Sequence, residues 1–294
     1  MTKRLYAAAA AVLIVTALAG GCGRSSSGTS ATQGAAAAEG KTAKDLVPAD
    51  VRDRGVLRLA TAEGYPPMEM YKEGTQELTG VDPDLGAAIA AKLGLKSTIT
   101  NAAFDGLIPG LQSDRWDIVL SSMSDTEERR AAVDFVDYFN AGGAVMVKKG
   151  NPEGVKDLAD LCGRTVVLAK GSSNLAIGEK QNDKCDKKMT IMQSEDAPTG
   201  LLSIDSGRAA ATIVDSPVAA MYAEETGKYE VLPGQYDAGP WGIAIDRRDT
   251  ALRDAVAKAM QELIADGGYQ KILDTYGVAA NAVPEVMVNT KPWK

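Results

Sequence analysis

The stretch IVLSSMSDTEERRAAVDF, residues Ile118–Phe135, joins an apolar run to a turn rich in hydroxyl groups and charges. Its first three residues are apolar and predict the end of a buried strand, whereas TEERRAAV has the pattern of a short helix. Three serines and Arg129 are gathered around the turn between the two. A strand that runs into a helix through a polar turn is typical of α/β proteins, in which ligands bind beyond the carboxyl ends of the strands.

The same alternation extends to both sides of this stretch. VLRLATA and DPDLGAAIAAKLGL precede it, and RTVVLAKG, SNLAIGEKQ, AATIVDS and PVAAMYAEETG follow it. Alternating strands and helices imply a mostly parallel sheet with helices on its faces, so we predict an α/β fold. In the first helix, Asp82 is expected as the N-cap, Pro83 as the first helical residue and Gly94 as the left-handed stop. Asp82 and Asp84 are therefore interpreted as helix-start residues rather than as a catalytic pair.

Two Gly/Pro-rich passages divide the chain into two lobes. NAGGAVMVKKGNPEG and LPGQYDAGPWG flank a block, about 148–235, that is predicted to be inserted into another domain. Two strands that cross between the lobes would form a hinge. We assign residues 48–145 to the first part of lobe one, 146–236 to lobe two, and 237–294 to the second part of lobe one and a C-terminal tail.

The N-terminal segment has the features of an export signal. Two basic residues precede an apolar stretch, Leu5–Ala19, and LAGGC ends it, so residues 1–21 are predicted to be a signal peptide. The small residues before Cys22 resemble a bacterial lipobox, which would lipidate this cysteine and anchor the protein to the cell membrane. The alternative is ordinary signal cleavage with Cys22 incidental. Residues 22–47 are rich in Gly, Ser, Ala and Thr and are predicted to be a flexible tether.

Composition excludes several classes of function. The chain has 39 acidic and 32 basic residues, a formal net charge of −7, which becomes −9 without the two basic residues of the signal. A duplex-binding protein would carry the opposite sign, so no nucleic-acid partner is expected. The sequence contains no histidine, which excludes histidine-based triads and removes the commonest general base and metal ligand. We predict no metal, no cofactor and no enzymatic activity.

Of the three cysteines, Cys22 follows the predicted signal peptide directly, whereas Cys162 and Cys185 both lie within the predicted lobe two. If Cys22 carries lipid, Cys162 and Cys185 remain as a pair in an exported, oxidising setting, and we predict a disulfide between them. The alternative is two buried thiols, which the polar surroundings of Cys185, QNDKCDKK, disfavour.

The serine-rich turn is a candidate anion site. Helix N-termini present unpaired N–H groups, so Ser122 and Ser124 are predicted to form a seat for an anion, and Arg129 adds a planar fork that matches a carboxylate. The alternative is structural: Ser124 or Thr126 caps the helix, and Arg129 pairs with Asp125 at the surface.

Other polar or aromatic residues follow the remaining predicted strands. Asp215 comes directly after AATIV, and an acid in lobe two that faces Arg129 in lobe one would hold a zwitterion. KGSSN offers a second hydroxyl-rich helix start that contains Ser173. Tyr65 and Phe104 lie next to turns and are candidates for apolar walls of the site. A helix-cap role for Asp215 and core positions for the two aromatics are the alternatives.

Three long segments carry a family resemblance: GVDPDLGAAIAAKLGL, FDGLIPGLQSDRWDIVLSSMSDTEERRAAVDF, and WGIAID with TALRDAVAKAMQELIADGGYQKILDTYGV. Over about Asp53–Val278 the chain resembles the family 3 solute-binding proteins of bacterial ABC importers for polar amino acids. The resemblance implies a two-lobed, periplasmic-binding-protein-like (type II) fold with the lobes joined by a two-strand hinge. It also implies that a monomer outside the cytoplasm binds an amino acid, closes around it and docks on a membrane permease.

The resemblance further implies which residues hold the ligand. The α-carboxylate would be gripped from lobe one by Ser122, Ser124 and Arg129 with help from Ser173 of lobe two, the α-amino group would bind Asp215, and Tyr65 and Phe104 would flank the side chain. Some members carry an acid three residues before the aromatic that matches Tyr65. This chain has Ala62 there, which weakens the expectation of selectivity for basic amino acids, although Glu63 is adjacent.

Two other functions share this scaffold. An exported enzyme, such as a dehydratase or a peptidoglycan-cleaving enzyme, would need an acid poised in the cleft, and Asp215 and Glu63 are the candidates. A sensory ligand-binding module would need a second membrane span or a signalling domain, and neither is predicted after VNTKPWK.

Overall fold

A computed structural model describes residues 40–293. The predicted signal peptide, Cys22 and most of the predicted tether lie outside the described residues. None of the helices in the described range combines the length and the apolar character that crossing a membrane requires.

Thirteen strands and nine α-helices form between residues 40 and 293. The strands are β1 (Val56–Thr61), β2 (Met70–Tyr71), β3 (Leu78–Thr79), β4 (Lys96–Asn101), β5 (Ile118–Val119), β6 (Val133–Lys148), β7 (Thr165–Ala169), β8 (Thr190–Ser194), β9 (Ala211–Asp215), β10 (Tyr229–Val231), β11 (Tyr236–Asp246), β12 (Ala282–Val288) and β13 (Lys291–Pro292). The helices are α1 (Ala49–Arg54), α2 (Val81–Lys92), α3 (Leu107–Gln112), α4 (Glu127–Arg130), α5 (Ser173–Lys184), α6 (Ala197–Asp205), α7 (Ser216–Thr226), α8 (Thr250–Ala265) and α9 (Gly268–Thr275).

Each lobe contains a small parallel sheet. In lobe one β1 pairs in parallel with β4 and β5, and in lobe two β7 pairs in parallel with β8 and β9. The strand order β4-β1-β5-β11-β6-β9-β7-β8 places the long strands β6 and β11 between the two parallel groups. This arrangement confirms the predicted α/β fold, and it brings the carboxyl ends of the parallel strands of both lobes toward one cleft.

The two long strands form the connection between the lobes. The first part of β6 pairs with β11 in lobe one, and from Gly143 onward β6 pairs with β9 in lobe two. At the crossing, a Cβ atom on Gly142 would lie 2.9 Å from the Ala238 backbone, so only glycine lets the strands approach this closely. The predicted two-strand hinge is therefore present, whereas the lobe boundaries at 145/146 and 236/237 stay a prediction.

Apolar periodicity explains how the lobes are packed. On α8, Leu252, Val256 and Met260 recur every four residues and are buried against lobe one. Lobe two has its own core around β7, and the predicted disulfide Cys162–Cys185 lies at its edge with a Cα–Cα distance of 5.4 Å.

Two local predictions are wrong. The predicted tether extends to residue 47, but Ala43–Leu46 forms a 3₁₀ turn, Ala43 and Val47 are buried, and the Ala43 N–H donates to Glu262 Oε1 at 2.8 Å. Ala43 and Val47 pack into the same hydrophobic core as the α8 residues, so this segment belongs to the folded lobe. The predicted start of α2 is displaced, because Gly80 is the N-cap and Pro83 is the third helical residue instead of the first; the Asp82 carboxylate is buried instead of capping the helix.

Candidate functional site

A cavity of about 340 Å³ lies between the lobes. It is lined by turns that follow β1, β4 and β5 in lobe one and β7, β8 and β9 in lobe two. Of the seven residues predicted to hold the ligand, five contribute to this lining: Tyr65, Phe104, Ser122, Ser173 and Asp215. The other two, Ser124 and Arg129, lie at its edge, where they contact lining residues.

Asp215 is the buried acid of lobe two. Its Oδ2 accepts hydrogen bonds from the Tyr65 hydroxyl at 2.6 Å and from Asn174 Nδ2 at 3.3 Å. Burial raises the pKa of Asp215 to about 6, against the opposing effects of these two donors and the charge of Arg129. Asp215 occupies the N-cap position of α7, but its side chain accepts no hydrogen bond from the helix. Its carboxylate is therefore directed at the cleft instead of the helix start.

Arg129 spans the two lobes. Its guanidinium carbon lies 5.4 Å from the centroid of the Phe104 ring, Nη1 donates to the Ser124 carbonyl at 2.8 Å, and Nη2 donates to the Gly171 carbonyl of lobe two at 3.0 Å. Burial lowers the pKa of Arg129, while the charge of Asp215 opposes this shift. The arginine is thus a desolvated cation whose present partners are two neutral carbonyl groups.

The structural alternative for this turn, a helix cap together with an Arg129–Asp125 ion pair, is correct for the cap and wrong for the ion pair. Thr126 caps α4, since its hydroxyl accepts from the Arg129 N–H at 3.3 Å. The ion pair with Asp125 is made by Arg130, not by Arg129. Arg129 is consequently left free of carboxylate partners among the described residues.

Ser124 and Ser173 meet across the cleft with their hydroxyl oxygens 3.0 Å apart. Ser173 is the first residue of α5, and the preceding Ser172 caps that helix by accepting from the Leu175 N–H at 3.0 Å. The hydroxyl of Ser173 is therefore not used for capping. Together with Arg129, the two serines make a polar edge to which both lobes contribute.

Glu69 is a site residue that sequence reasoning missed. Its two carboxyl oxygens accept from the hydroxyls of Ser121 and Ser122, each at 3.1 Å. Burial and the neighbouring Asp82 raise the pKa of Glu69 well above its usual range. The Ser122 N–H donates to Asp82 Oδ2 at 2.8 Å, so both donors of Ser122 are engaged within lobe one and Ser122 offers the cavity lone pairs only. The available sequence signal was a lone acid between two methionines in PPMEM.

The cavity is acidic. Five carboxyl groups line it, and no lysine or arginine does: the acids are Glu63, Glu69, Glu195, Asp196 and Asp215. Within residues 40–293, no group of three or more potential metal ligands is arranged to hold a metal ion.

Comparison with known proteins identifies the family. The sequence profile of the bacterial extracellular solute-binding proteins, family 3, matches residues 57–279. The chain belongs to this family. Membership confirms the predicted resemblance and places the protein outside the cytoplasm.

Individual relatives agree with this family. The arginine-binding protein ArgT of Corynebacterium glutamicum is 32% identical over 253 residues, which cover 84% of this chain and 82% of the relative. The solved structure of an ancestral arginine-binding protein bound to arginine has a TM-score of 0.72 at 35% identity and covers 76% of this chain and 98% of that chain. The ancestral amino acid-binding protein AncCDT-1, a precursor of cyclohexadienyl dehydratase, has a TM-score of 0.71 at 32% identity and covers 77% and 97% of the two chains. These structures confirm the two-lobed fold.

Proposed function

We propose that this protein binds an amino acid with a cationic side chain and delivers it to the permease of an ABC importer. Capture of an amino acid outside the cytoplasm, followed by delivery on cleft closure, is the function of this solute-binding protein. The observation that supports the cationic ligand is the acidic cavity, whose lining has five carboxyl groups and no basic side chain. Several relatives, among them ArgT, are named as arginine-binding proteins.

The α-groups of the ligand, which share one carbon atom, would be held from opposite lobes at one end of the cavity. Asp215 is proposed to take the α-ammonium group, because it is the buried acid of lobe two that lines the cavity and Asn174 of the same lobe donates to it at 3.3 Å. Arg129 is proposed to exchange its carbonyl partners for the α-carboxylate, a stronger acceptor for a desolvated guanidinium. Ser124 and Ser173 would add hydroxyl donors to that carboxylate.

The aromatic residues and Ser122 have supporting roles in this proposal. Phe104 lies under the Arg129 guanidinium and closes one wall of the cavity. Tyr65 both lines the cavity and donates to Asp215, so it flanks the ligand and also stabilises the ionised acid. The family resemblance predicts that Ser122 grips the α-carboxylate, but its N–H and hydroxyl donors are engaged by Asp82 and Glu69, so it is proposed to position the turn and to accept from a ligand N–H group.

Closure follows from the division of these groups between the lobes. The cation of lobe one and the acid of lobe two can both reach one zwitterion only when the cleft is shut, so the ligand favours the closed state through its differential affinity. A micromolar ligand corresponds to about −8 kcal/mol, which is enough to bias a hinge equilibrium of a few kcal/mol. The closed surface would then be recognised by the permease.

The remaining features fit an anchored binding protein. We propose that residues 1–21 direct export, that Cys22 carries the lipid anchor, and that the protein acts as a monomer without a cofactor or catalytic step. The disulfide Cys162–Cys185 agrees with an oxidising location.

Titration calorimetry with L-arginine tests the proposal on the protein and on an Arg129→Ala variant. The variant should lose about 2–5 kcal/mol of binding free energy, because the ligand carboxylate would be left without its cationic partner. Arg247→Ala is the matched control, since Arg247 is exposed and donates to the Ala131 carbonyl outside the cavity. Equal affinity of Arg129→Ala and the unmodified protein would contradict the proposed site.

A further inference from the structure

The two lobes touch beside one pair of acids, Glu63 and Asp196. Glu63 lies in the turn after β1, and Asp196 lies in the turn after β8. Gly64, the next residue after Glu63, has so little room that a Cβ atom there would lie 2.8 Å from Pro198 Cγ of lobe two. The Tyr222 hydroxyl of lobe two also donates to the Gly64 carbonyl at 2.6 Å. The turn that carries Glu63 is therefore pressed against the turn that carries Asp196.

Both acids face the same space from opposite lobes. Glu63 and Asp196 line the same cavity, and each is partly buried. Burial and the charge of Asp196 raise the pKa of Glu63, and after burial the charges of Asp196 and Glu63 raise the pKa of Tyr222. Because the two acids line the same cavity from turns that touch, their carboxylates lie within electrostatic reach of one another, where like charges repel.

The other acids of the cavity already have partners. Asp215 accepts from Tyr65 and Asn174, and Glu69 accepts from two serines. Glu195 is exposed and has Lys170 nearby, a lysine that itself pairs with Asp105 across the cleft at 2.6 Å.

Glu63 and Asp196 lack such compensation. Among residues 40–293 neither acid forms an ion pair, and the one hydrogen bond to the Asp196 side chain is the cap bond from the Thr199 N–H at 2.7 Å. The pair therefore has unused acceptor capacity directed at the cavity.

We propose that Glu63 and Asp196 form a clasp that closes only on a cation. In the open cleft the two carboxylates are apart and hydrated, whereas closure brings them together with part of their hydration lost. A guanidinium or ammonium group between them would convert this repulsion into two charge-assisted contacts that join the lobes. A neutral side chain of the same shape would bind through its α-groups and leave the repulsion in place. The pair thus determines specificity by controlling closure, an inference that rests on the proposed function.

The experiment compares L-arginine with L-citrulline, which has a similar shape but a neutral ureido group. The variants are Glu63→Gln, Asp196→Asn and the double variant. Asparagine is as good an N-cap as aspartate, so Asp196→Asn keeps the start of α6. Glu224→Gln is the control for loss of one exposed charge on lobe two outside the cavity. Calorimetry measures affinity, small-angle X-ray scattering measures closure, and the melting temperature without ligand checks each fold.

The unmodified protein should bind arginine roughly 100-fold more tightly than citrulline and become more compact with arginine only. In the double variant arginine should bind less tightly, citrulline should now induce closure, and the affinity ratio should fall to within about threefold. Glu224→Gln should behave like the unmodified protein. Closure of the unmodified protein by citrulline, or an unchanged affinity ratio in the double variant, would overturn the clasp alone. Failure of the unmodified protein to bind any amino acid would overturn the clasp and the proposed function together.

Discussion

The carboxyl group of Asp215 must be ionised to hold an ammonium group, and its environment sets the pH at which this happens. Burial raises its pKa from 3.8 to about 6. Below this pH the ligand-free protein holds a proton on Asp215 that an ammonium ligand has to displace. We expect the affinity for arginine to be constant above about pH 7 and to fall by up to about tenfold per pH unit below pH 6. Calorimetric titrations between pH 5 and 8, in buffers with different ionisation enthalpies, should show proton release at the acidic end.

Tyr65→Phe separates Asp215 from other groups that titrate nearby, such as Asp82, whose pKa is also raised to about 6. The Tyr65 hydroxyl donates to Asp215 at 2.6 Å, so its removal should raise the pKa of Asp215 further. The acid midpoint of arginine binding should move to higher pH in this variant. An unchanged midpoint would assign the titration to a different carboxyl group.

Strand β6 carries the buried acid Asp137, whose ionisation affects stability. Its Oδ1 and Asp125 Oδ2 are both buried without a hydrogen-bond partner among the described residues, and the Thr290 N–H of the C-terminal segment donates to Asp137 Oδ2 at 3.2 Å. Burial and the charge of Asp125 raise the pKa of Asp137 from 3.8 to about 8. The folded protein therefore retains a proton up to about pH 8 that the unfolded chain loses near pH 4. Stability should fall as the pH rises through this range.

Asp137→Asn removes this ionisation and keeps an N–H donor for Asp125. Its melting temperature should decrease less than that of the unmodified protein between pH 6 and 9, as measured by scanning calorimetry. Asp237→Asn is the control, because Asp237 is an exposed acid on β11 with a positive φ of 46° that asparagine tolerates. Parallel pH profiles for Asp137→Asn and the unmodified protein would refute the role of this carboxyl pair.

Secondary-structure elements were predictable from the sequence where interactions between residues close together in the chain determine them. The alternation of strands and helices, the left-handed stop at Gly94 and the two crossing strands follow from periodicity and from glycine, which act within a few residues. The roles of Asp82 and Glu69 did not follow, because each acid is set by partners about 40 to 55 positions away in the chain. Asp82 satisfies every local rule for a helix start, and only the fold shows that its carboxylate supports the Ser122 turn.

At the scale of the whole molecule, the cleft depends on chain topology. Lobe one is completed by β11 and α8, which follow lobe two in the sequence, and β6 pairs with β11 in lobe one and with β9 in lobe two. The residues that meet across the cleft, such as Ser124 with Ser173, are consequently fixed by two strands that both lobes need. No local sequence pattern specifies that these two serines come together, although the hydroxyl-rich turn on each side is visible in the sequence.

This shared construction predicts a single thermal transition. Since β6 is paired in both lobes and cannot leave one sheet without disturbing the other, we expect the ligand-free protein to unfold in one calorimetric peak. Arginine at a hundredfold its dissociation constant should add about 2.7 kcal/mol and raise the melting temperature by about 5–10 °C, because it binds both lobes of the folded state. The Arg129→Ala variant should show the single peak without the shift. Two separate peaks, of which arginine moves only one, would contradict cooperative unfolding and place the ligand on a single lobe.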